Sequence, residues 1–169
     1  MTQAITQVTS QAKASSIDYR HIQFRYTDTL SEATLAQLCT LFDAAAFWAN
    51  RRRPEDLATA IANSHPVVTV WDRDRLIGFS RATSDGVYRA TIWDVVIHPD
   101  YQGAGLGRKL VQTVLSHPHV SQVERVYLMT THQQSFYQRI GFEVNNTTTM
   151  VLFNQPLEAL VGVEAGEIA

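Results

Sequence analysis

Trp93-Asp94-Val95-Val96-Ile97-His98-Pro99-Asp100-Tyr101-Gln102-Gly103-Ala104-Gly105-Leu106-Gly107-Arg108 is the stretch whose reading decides the fold. It begins as a strand of mostly apolar residues, stops at Pro99, and runs through a turn with three glycines and an alanine at positions 103–107. Leu106, Leu110, Val111, Val114 and Leu115 then recur at helical spacing on one face. A strand, a tight glycine turn and a helix start follow each other directly. A helix N-terminus leaves backbone N–H groups unpaired and carries a partial positive charge. Small residues let a phosphate come close to those donors. Residues 102–108 are therefore a candidate diphosphate cradle, as opposed to a plain connection.

Two common phosphate templates fail on this turn. The dinucleotide fingerprint G-x-G-x-x-G fits Gly103 and Gly105 but meets Arg108 at its sixth position. The nucleotide loop G-x-x-x-x-G-K-[ST] also needs glycine where Arg108 stands.

Outward from this turn, the chain reads as one α/β domain. Upstream, a strand is predicted near Ile22–Tyr26, and Thr29-Leu30-Ser31-Glu32 has capping-box spacing that should open a helix carrying Leu35, Leu38, Phe42 and Ala45. Arg53-Pro54-Glu55 starts a second helix, with Leu57 and Ile61 on one face. The period then changes: Val67–Trp71 and Arg75–Ala82 read as strands joined by the turn Asp72-Arg73-Asp74, and Val87–His98 as a third strand. Downstream, Val126–Thr130 reads as a strand, Gln133–Arg139 as a short helix stopped by Gly141, and Phe142–Phe153 as a closing strand or hairpin. The expected architecture is a mixed, mostly antiparallel sheet flanked by helices. Residues 19–155 make up the domain. Residues 1–18 are expected to be a disordered tail and residues 156–169 a second tail.

Composition narrows the function classes. A formal net charge of −2 with no long basic run argues against nucleic acid as the main partner. No apolar run approaches the ~18 residues of a membrane span. Cys39 is the only cysteine, so neither an internal disulfide nor a thiolate metal site is expected. It sits among Leu38, Leu41 and Phe42, which reads as core packing. The first residues are too weakly apolar for a signal peptide. They lack acids before Asp18, as transit peptides do, but also lack arginine. A cytoplasmic location is the expectation.

A third template fits the turn in full. The GNAT acetyltransferases carry [RQ]-x-x-G-x-[GA] here, filled by Gln102, Gly105 and Gly107. Val95-Val96-Ile97-His98-Pro99 resembles the strand end that precedes that motif, and Phe136-Tyr137-Gln138-Arg139-Ile140-Gly141-Phe142 resembles the superfamily's F-Y-x-x-x-G-F block. Leu76-Ile77-Gly78, Arg81–Asp85, Ala90–Val95 and Met150–Phe153 resemble one branch in particular, the plastid and cyanobacterial enzymes described as serotonin N-acetyltransferases or as lysine and protein N-terminal acetyltransferases. The resemblance covers Arg51–Phe153 well and residues 30–50 loosely.

The resemblance implies acetyl-CoA as co-substrate, with no metal. The backbone of Val95, Val96 and Ile97 would hold the pantetheine arm as an added strand. Amides from Gln102, Gly103, Ala104, Gly105, Leu106, Gly107 and Arg108 would hold the diphosphate, with Arg108 and Lys109 near an outer phosphate or simply solvated. Tyr137 would lie near the sulfur and protonate the leaving thiolate; its bland alternative is packing. Phe47, Trp48 and Trp93 would line the acceptor side. The acceptor would be a small amine or a protein amine, with no nucleic acid and no membrane as partner; a homodimer is left open. A non-catalytic acyl-CoA sensor on the same fold is the alternative of a different class.

The acceptor's proton is the open question. A free alkylamine has a pKa near ~10.4, so only about one in 2,500 is neutral at pH 7. Asp94, His132 and His98 are the candidate bases, with a structural hydrogen-bonding role as the competing reading of Asp94 and a solvated turn as that of His98. The family often carries Asp or Asn seven residues before the tyrosine. Here that position is Thr130, which cannot act as a base and favours a water relay through Thr130 or a base elsewhere. The run Arg51-Arg52-Arg53 reads as a solvated face, with contact to an acidic substrate as its alternative.

Overall fold

The computed structural model describes residues 18–49, 52–147 and 149–152. Most of the expected tails, residues 1–17 and 156–169, lie outside the described residues, as do Asn50 and Arg51. The chain divides into two compact units, Met1–Thr131 and His132–Ala169.

The first unit is a five-stranded sheet in the order β1-β2-β3-β4-β5. Its strands are β1 (Ile22–Thr27), β2 (Val67–Asp72), β3 (Arg75–Ser84), β4 (Arg89–Ile97) and β5 (Arg125–Tyr127). β1 to β4 are antiparallel neighbours, and β5 joins β4 in parallel. A parallel pair needs a crossover, and α3 (Leu106–Ser116) followed by the short α4 (Pro118–Ser121) supplies it.

Helices cover both faces of this sheet. α1 (Glu32–Ala45) and α2 (Pro54–Ala62) bury Leu35, Leu38, Leu41, Phe42, Leu57 and Ile61 in one cluster with Val67, Leu76, Phe79 and Val96. Each such side chain removed from water stabilises by about 1.5–3 kcal/mol. Cys39 packs against the same cluster, as expected. α3 takes the opposite face. Phe24 and Tyr26 pair across to Val70 and Val68, and they meet α3 through the Lys109 ammonium over the Phe24 ring and a hydrogen bond from Tyr26 Oη to the Thr113 carbonyl.

Three sequence expectations change. The first helix is capped by Ser31, whose Oγ accepts from the Thr34 amide at 3.2 Å, so Thr29 is not the cap. β5 ends at Tyr127, three residues before the expected end. No strand forms in residues 142–147 or 149–152, where Val144, Met150, Val151 and Leu152 are exposed; a strand needs a hydrogen-bonding partner, and these residues have none among the described residues.

In the second unit, α5 (Gln134–Gln138) ends in a Schellman turn. The Phe142 amide donates to the Tyr137 carbonyl at 3.1 Å and the Gly141 amide to the Gln138 carbonyl at 3.0 Å. Gly141 has φ +116°, which L side chains rarely adopt. The rings of Tyr137 and Phe142 pack with centroids 5.9 Å apart. The F-Y-x-x-x-G-F block is thus a helix stop: glycine supplies the left-handed turn, and the aromatic pair supplies its apolar contact.

Candidate active site

The cradle has the backbone its sequence asked for. Gly103 and Gly105 have φ +83° and +81°, and Gly105 caps α3 without any side-chain hydrogen bond. The first helical bond runs from the Lys109 amide to the Gly105 carbonyl at 3.1 Å, so the amides of Leu106 and Gly107 have no acceptor inside the helix. A Cβ built on Gly103 or Gly105 would meet nothing within 4 Å. Left-handed glycines, open space before them and outward-facing amides fit a diphosphate. Lys109 is directed onto Phe24 of β1.

The loop is tied to the sheet at both ends. Gln102 Nε2 donates to the Ile97 carbonyl at 2.9 Å. Tyr101 is buried, and its Oη donates to Asp72 Oδ2 at 2.7 Å. His98 is not a solvated turn residue: its side chain is 18% exposed, and its Nε2 lies 2.9 Å from a guanidinium nitrogen of Arg75. Arginine can only donate, so Nε2 keeps its lone pair and the proton of the neutral ring sits on Nδ1, 3.5 Å from Asp100 Oδ2. The Asp100 amide is also near Nδ1, at 3.2 Å, but one neutral ring cannot accept on both nitrogens. Burial, then the Arg75 charge, lower the His98 pKa, while Asp100 opposes them. A ring committed to Arg75 is poorly placed to serve as the general base.

β4 offers one free edge. β5 pairs only with Arg89–Thr91, so from Ile92 onward that side of β4 has no partner strand among the described residues. The His98 amide donates to the Ile77 carbonyl at 2.8 Å, which turns the His98 backbone toward β3. In an antiparallel strand successive residues direct their backbone groups to opposite sides. Val96 then faces β3, while Ile97 and Val95 face the open edge. Gln102 reaching the Ile97 carbonyl agrees with this. The expectation named the backbones of all three residues; Val96 turns its own toward β3, and only Val95 and Ile97 turn theirs to the open edge.

Strand alternation breaks just before them. Two steps on β3, Phe79 to Arg81, lie opposite three on β4, Val96 to Trp93. The extra residue is a β-bulge at Asp94, which has φ +55°. A left-handed conformation costs a non-glycine residue about 1–2 kcal/mol, less for aspartate than for most. Two ion pairs offset this: Arg52 holds Oδ1 at 2.9 Å and Arg81 Nε holds Oδ2 at 2.7 Å. The Asp94 side chain is 5% exposed. With each oxygen engaged by a guanidinium and shielded from solvent, Asp94 is not presented to an incoming amine, which counts against it as the general base.

The remaining candidates are distributed as follows. Trp93 donates from Nε1 to Thr83 Oγ1 at 2.9 Å and lies under the Arg81 guanidinium. Trp48 is exposed in the 3₁₀ turn Phe47–Ala49 that also contains Phe47. Thr130 follows β5 in the first unit. Tyr137 and the exposed His132 belong to the second unit. Burial pushes the Tyr137 phenol above its ordinary value. Of the arginine run, Arg52 turns inward to the shielded Asp94, whereas Arg53 stays on the solvated face as expected and pairs there with the exposed Asp56 and Glu55. Sequence reasoning missed Arg52, Arg75 and Arg81 as partners of the site. The only available signal was an arginine at the end of a predicted strand, two residues before Thr83.

Comparison with known proteins fits this geometry. Residues 35–142 match the acetyltransferase (GNAT) family. The chain belongs to that family. It is an N-acetyltransferase by family, similar to ycf52-like N-acetyltransferases and to chloroplastic GCN5-related N-acetyltransferases. A ycf52-like N-acetyltransferase of Prochlorococcus marinus is 41% identical over 133 residues, covering 76% of this chain and 71% of the relative. A histone acetyltransferase of Glycine max is 36% identical over 107 residues, covering 56% of this chain and 46% of the relative. The fold matches a GNAT-family acetyltransferase of Streptococcus pneumoniae with a TM-score of 0.67, at 23% identity, over 80% of this chain and 99% of that one. The GNAT fold expected from the sequence is the one observed, and the enzyme class stands in place of the non-catalytic alternative.

Proposed function

We propose that this acyltransferase moves the acetyl group of acetyl-CoA onto a primary amine by direct attack. The observation that carries this reading is the pair of left-handed glycines, Gly103 and Gly105, set before the open N-terminus of α3 and beside the free edge of β4. That arrangement suits one ligand with a diphosphate at one end and an extended amide-bearing arm at the other. Acetyl-CoA supplies the activated acyl carbon: the amine nitrogen forms the new C–N bond as the C–S bond breaks.

The chain's own residues serve the rest. Amides of Leu106 and Gly107 receive the diphosphate. Backbone groups of Val95 and Ile97 align the arm along β4. The Tyr137 hydroxyl gives its proton to the departing sulfur, a role carried by the family block in which it stands. Taking ~8.5 for a thiol and ~10 for a phenol, that transfer is uphill by about 2 kcal/mol, and more once burial has raised the phenol. The amine's proton leaves through water, because Asp94 is held by two arginines and position 130 is threonine. For the acceptor we favour a lysine side chain over an arylalkylamine, on the strength of the Glycine max relative named a histone acetyltransferase.

Thiol release from acetyl-CoA, measured across arylalkylamines such as serotonin and across lysine peptides, tests both levels. Amine-dependent release is expected, fastest with the peptides. Tight acetyl-CoA binding without thiol release to any amine would overturn acetyl transfer. Release driven only by arylalkylamines would overturn the lysine assignment alone.

A further inference from the structure

We propose that Asp94 is a positioning residue: its carboxylate, gripped by Arg52 and Arg81, holds the left-handed bulge that turns the backbone of β4 toward its free edge. The inference rests on the acyl-transfer reading for its consequence, but its structural content concerns this chain alone.

Three observations converge on it. The bulge falls three residues past Thr91, the last β4 residue paired with β5, and immediately before Val95, which turns to the free edge. It is occupied by an aspartate at φ +55°, where glycine is the usual solution. The residue as a whole is partly accessible while its side chain is 5% exposed, so the surface it offers is backbone. A base would show the reverse.

The grip reaches across the fold. Arg52, just before α2, lays its guanidinium over the Phe42 ring of α1 while bonding Asp94 Oδ1. Arg81 of β3 bonds Oδ2, covers Trp93, and donates from its other arm to Ser64 Oγ at 3.0 Å, just past α2. Ser80 Oγ adds a bond to the Trp93 carbonyl at 3.1 Å. The bulge is thereby fixed to α1, to both ends of α2 and to β3. A single substitution at residue 94 removes two ion pairs and changes the backbone preference at one point, and these two effects can be separated.

Asp94→Asn keeps hydrogen-bond acceptance and tolerance of a left-handed backbone. Asp94→Gly keeps only that backbone. Asp94→Ala keeps neither. Melting temperature, and the protection of the Val96 and His98 amides that face β3 against hydrogen exchange, both read on ligand-free protein, should fall in the order Asn, Gly, Ala. Acetyl-CoA affinity by calorimetry should stay within about threefold for Asn and drop tenfold or more for Ala. Turnover should follow affinity in the same order. If all three variants bind acetyl-CoA like the wild type and lose kcat equally, Asp94 is a base and the proposal is wrong. Equal exchange and melting in all three also overturns it. Failure of the wild type to bind acetyl-CoA would defeat the acyl-transfer reading instead, and the ligand-free measurements would still decide the bulge.

Discussion

Gln102 Nε2 donates to the Ile97 carbonyl oxygen at 2.9 Å, closing the loop that joins the free edge of β4 to the N-terminus of α3. The side chain that opens the family's glycine motif therefore acts within the protein: it sets the distance between the two backbone surfaces proposed to receive acetyl-CoA. A hydrogen bond of this kind contributes about 1 kcal/mol net. Gln102→Ala should weaken acetyl-CoA binding by roughly fivefold. Gln102→Glu should weaken it further, because a carboxylate replaces the donor, opposes the Ile97 carbonyl and adds negative charge beside the diphosphate. Titration calorimetry on the three proteins checks the order, and affinity retained by Gln102→Glu would refute this account.

Gly105 separates two roles that glycine combines. Its φ of +81° makes most side chains strained, yet a Cβ there would enter open space. Gly105→Val should lose acetyl-CoA binding and should lower the melting temperature as well. Gly105→Asn tolerates the left-handed backbone better than other residues, so it should melt near the wild type while binding acetyl-CoA at least tenfold more weakly. Wild-type affinity in Gly105→Asn would mean that the space before Gly105 is not where the phosphates lie.

Local features were legible in the sequence because they are written locally. Pro99 ends β4, the glycines make the turn, and the apolar faces of α1 and α3 are readable by spacing. The F-Y-x-x-x-G-F block needed only Gly141 to be recognised as a stop. Asp94 was another matter. Its left-handed φ is not announced by a glycine, and its partner Arg52 lies 42 residues away, inside a run that reads as surface charge. Val96 was grouped with Val95 and Ile97 because the resemblance points to the strand end as a whole and does not say which backbones turn to the free edge, a matter of pairing with β3. The stretch after Phe142 has the apolar residues of a strand, but sequence alone does not say whether an edge exists to receive them.

His98 makes the base of the loop sensitive to acid. Its contact with Arg75 exists only while the ring is neutral, and burial and the Arg75 charge hold its pKa below the ordinary imidazole value. The unfolded chain then binds the proton more readily than the native one. Stability from this contact is complete above about pH 6.5 and is lost as pH falls through the lowered native value. His117, also lowered chiefly by burial, contributes in the same direction, so the informative quantity is a difference. His98→Gln, which cannot gain a proton, should show a smaller fall in melting temperature between pH 7 and pH 5 than the wild type. Parallel curves for the two proteins would remove His98 as the sensor.

Tyr137 and the acceptor amine set the other side of the pH profile. Direct attack requires the neutral amine, so kcat/KM should rise from pH 6 toward pH 9. With burial raising the Tyr137 phenol above its ordinary ~10, the acid stays protonated throughout that range, and no falling limb should appear by pH 9. Tyr137→Phe should lower kcat by about 10²-fold or more while changing acetyl-CoA affinity little, since the lost hydroxyl serves the leaving sulfur. Cys39 offers no covalent detour: burial and the nearby Asp43 charge push its thiol up, and it packs against the core. Kinetics should be sequential and Cys39→Ala should remain active. Ping-pong kinetics, or a residue acetylated by acetyl-CoA alone and required for turnover, would replace direct attack with a covalent route. An unchanged kcat in Tyr137→Phe, measured where chemistry limits the rate, would assign the thiolate's proton to solvent.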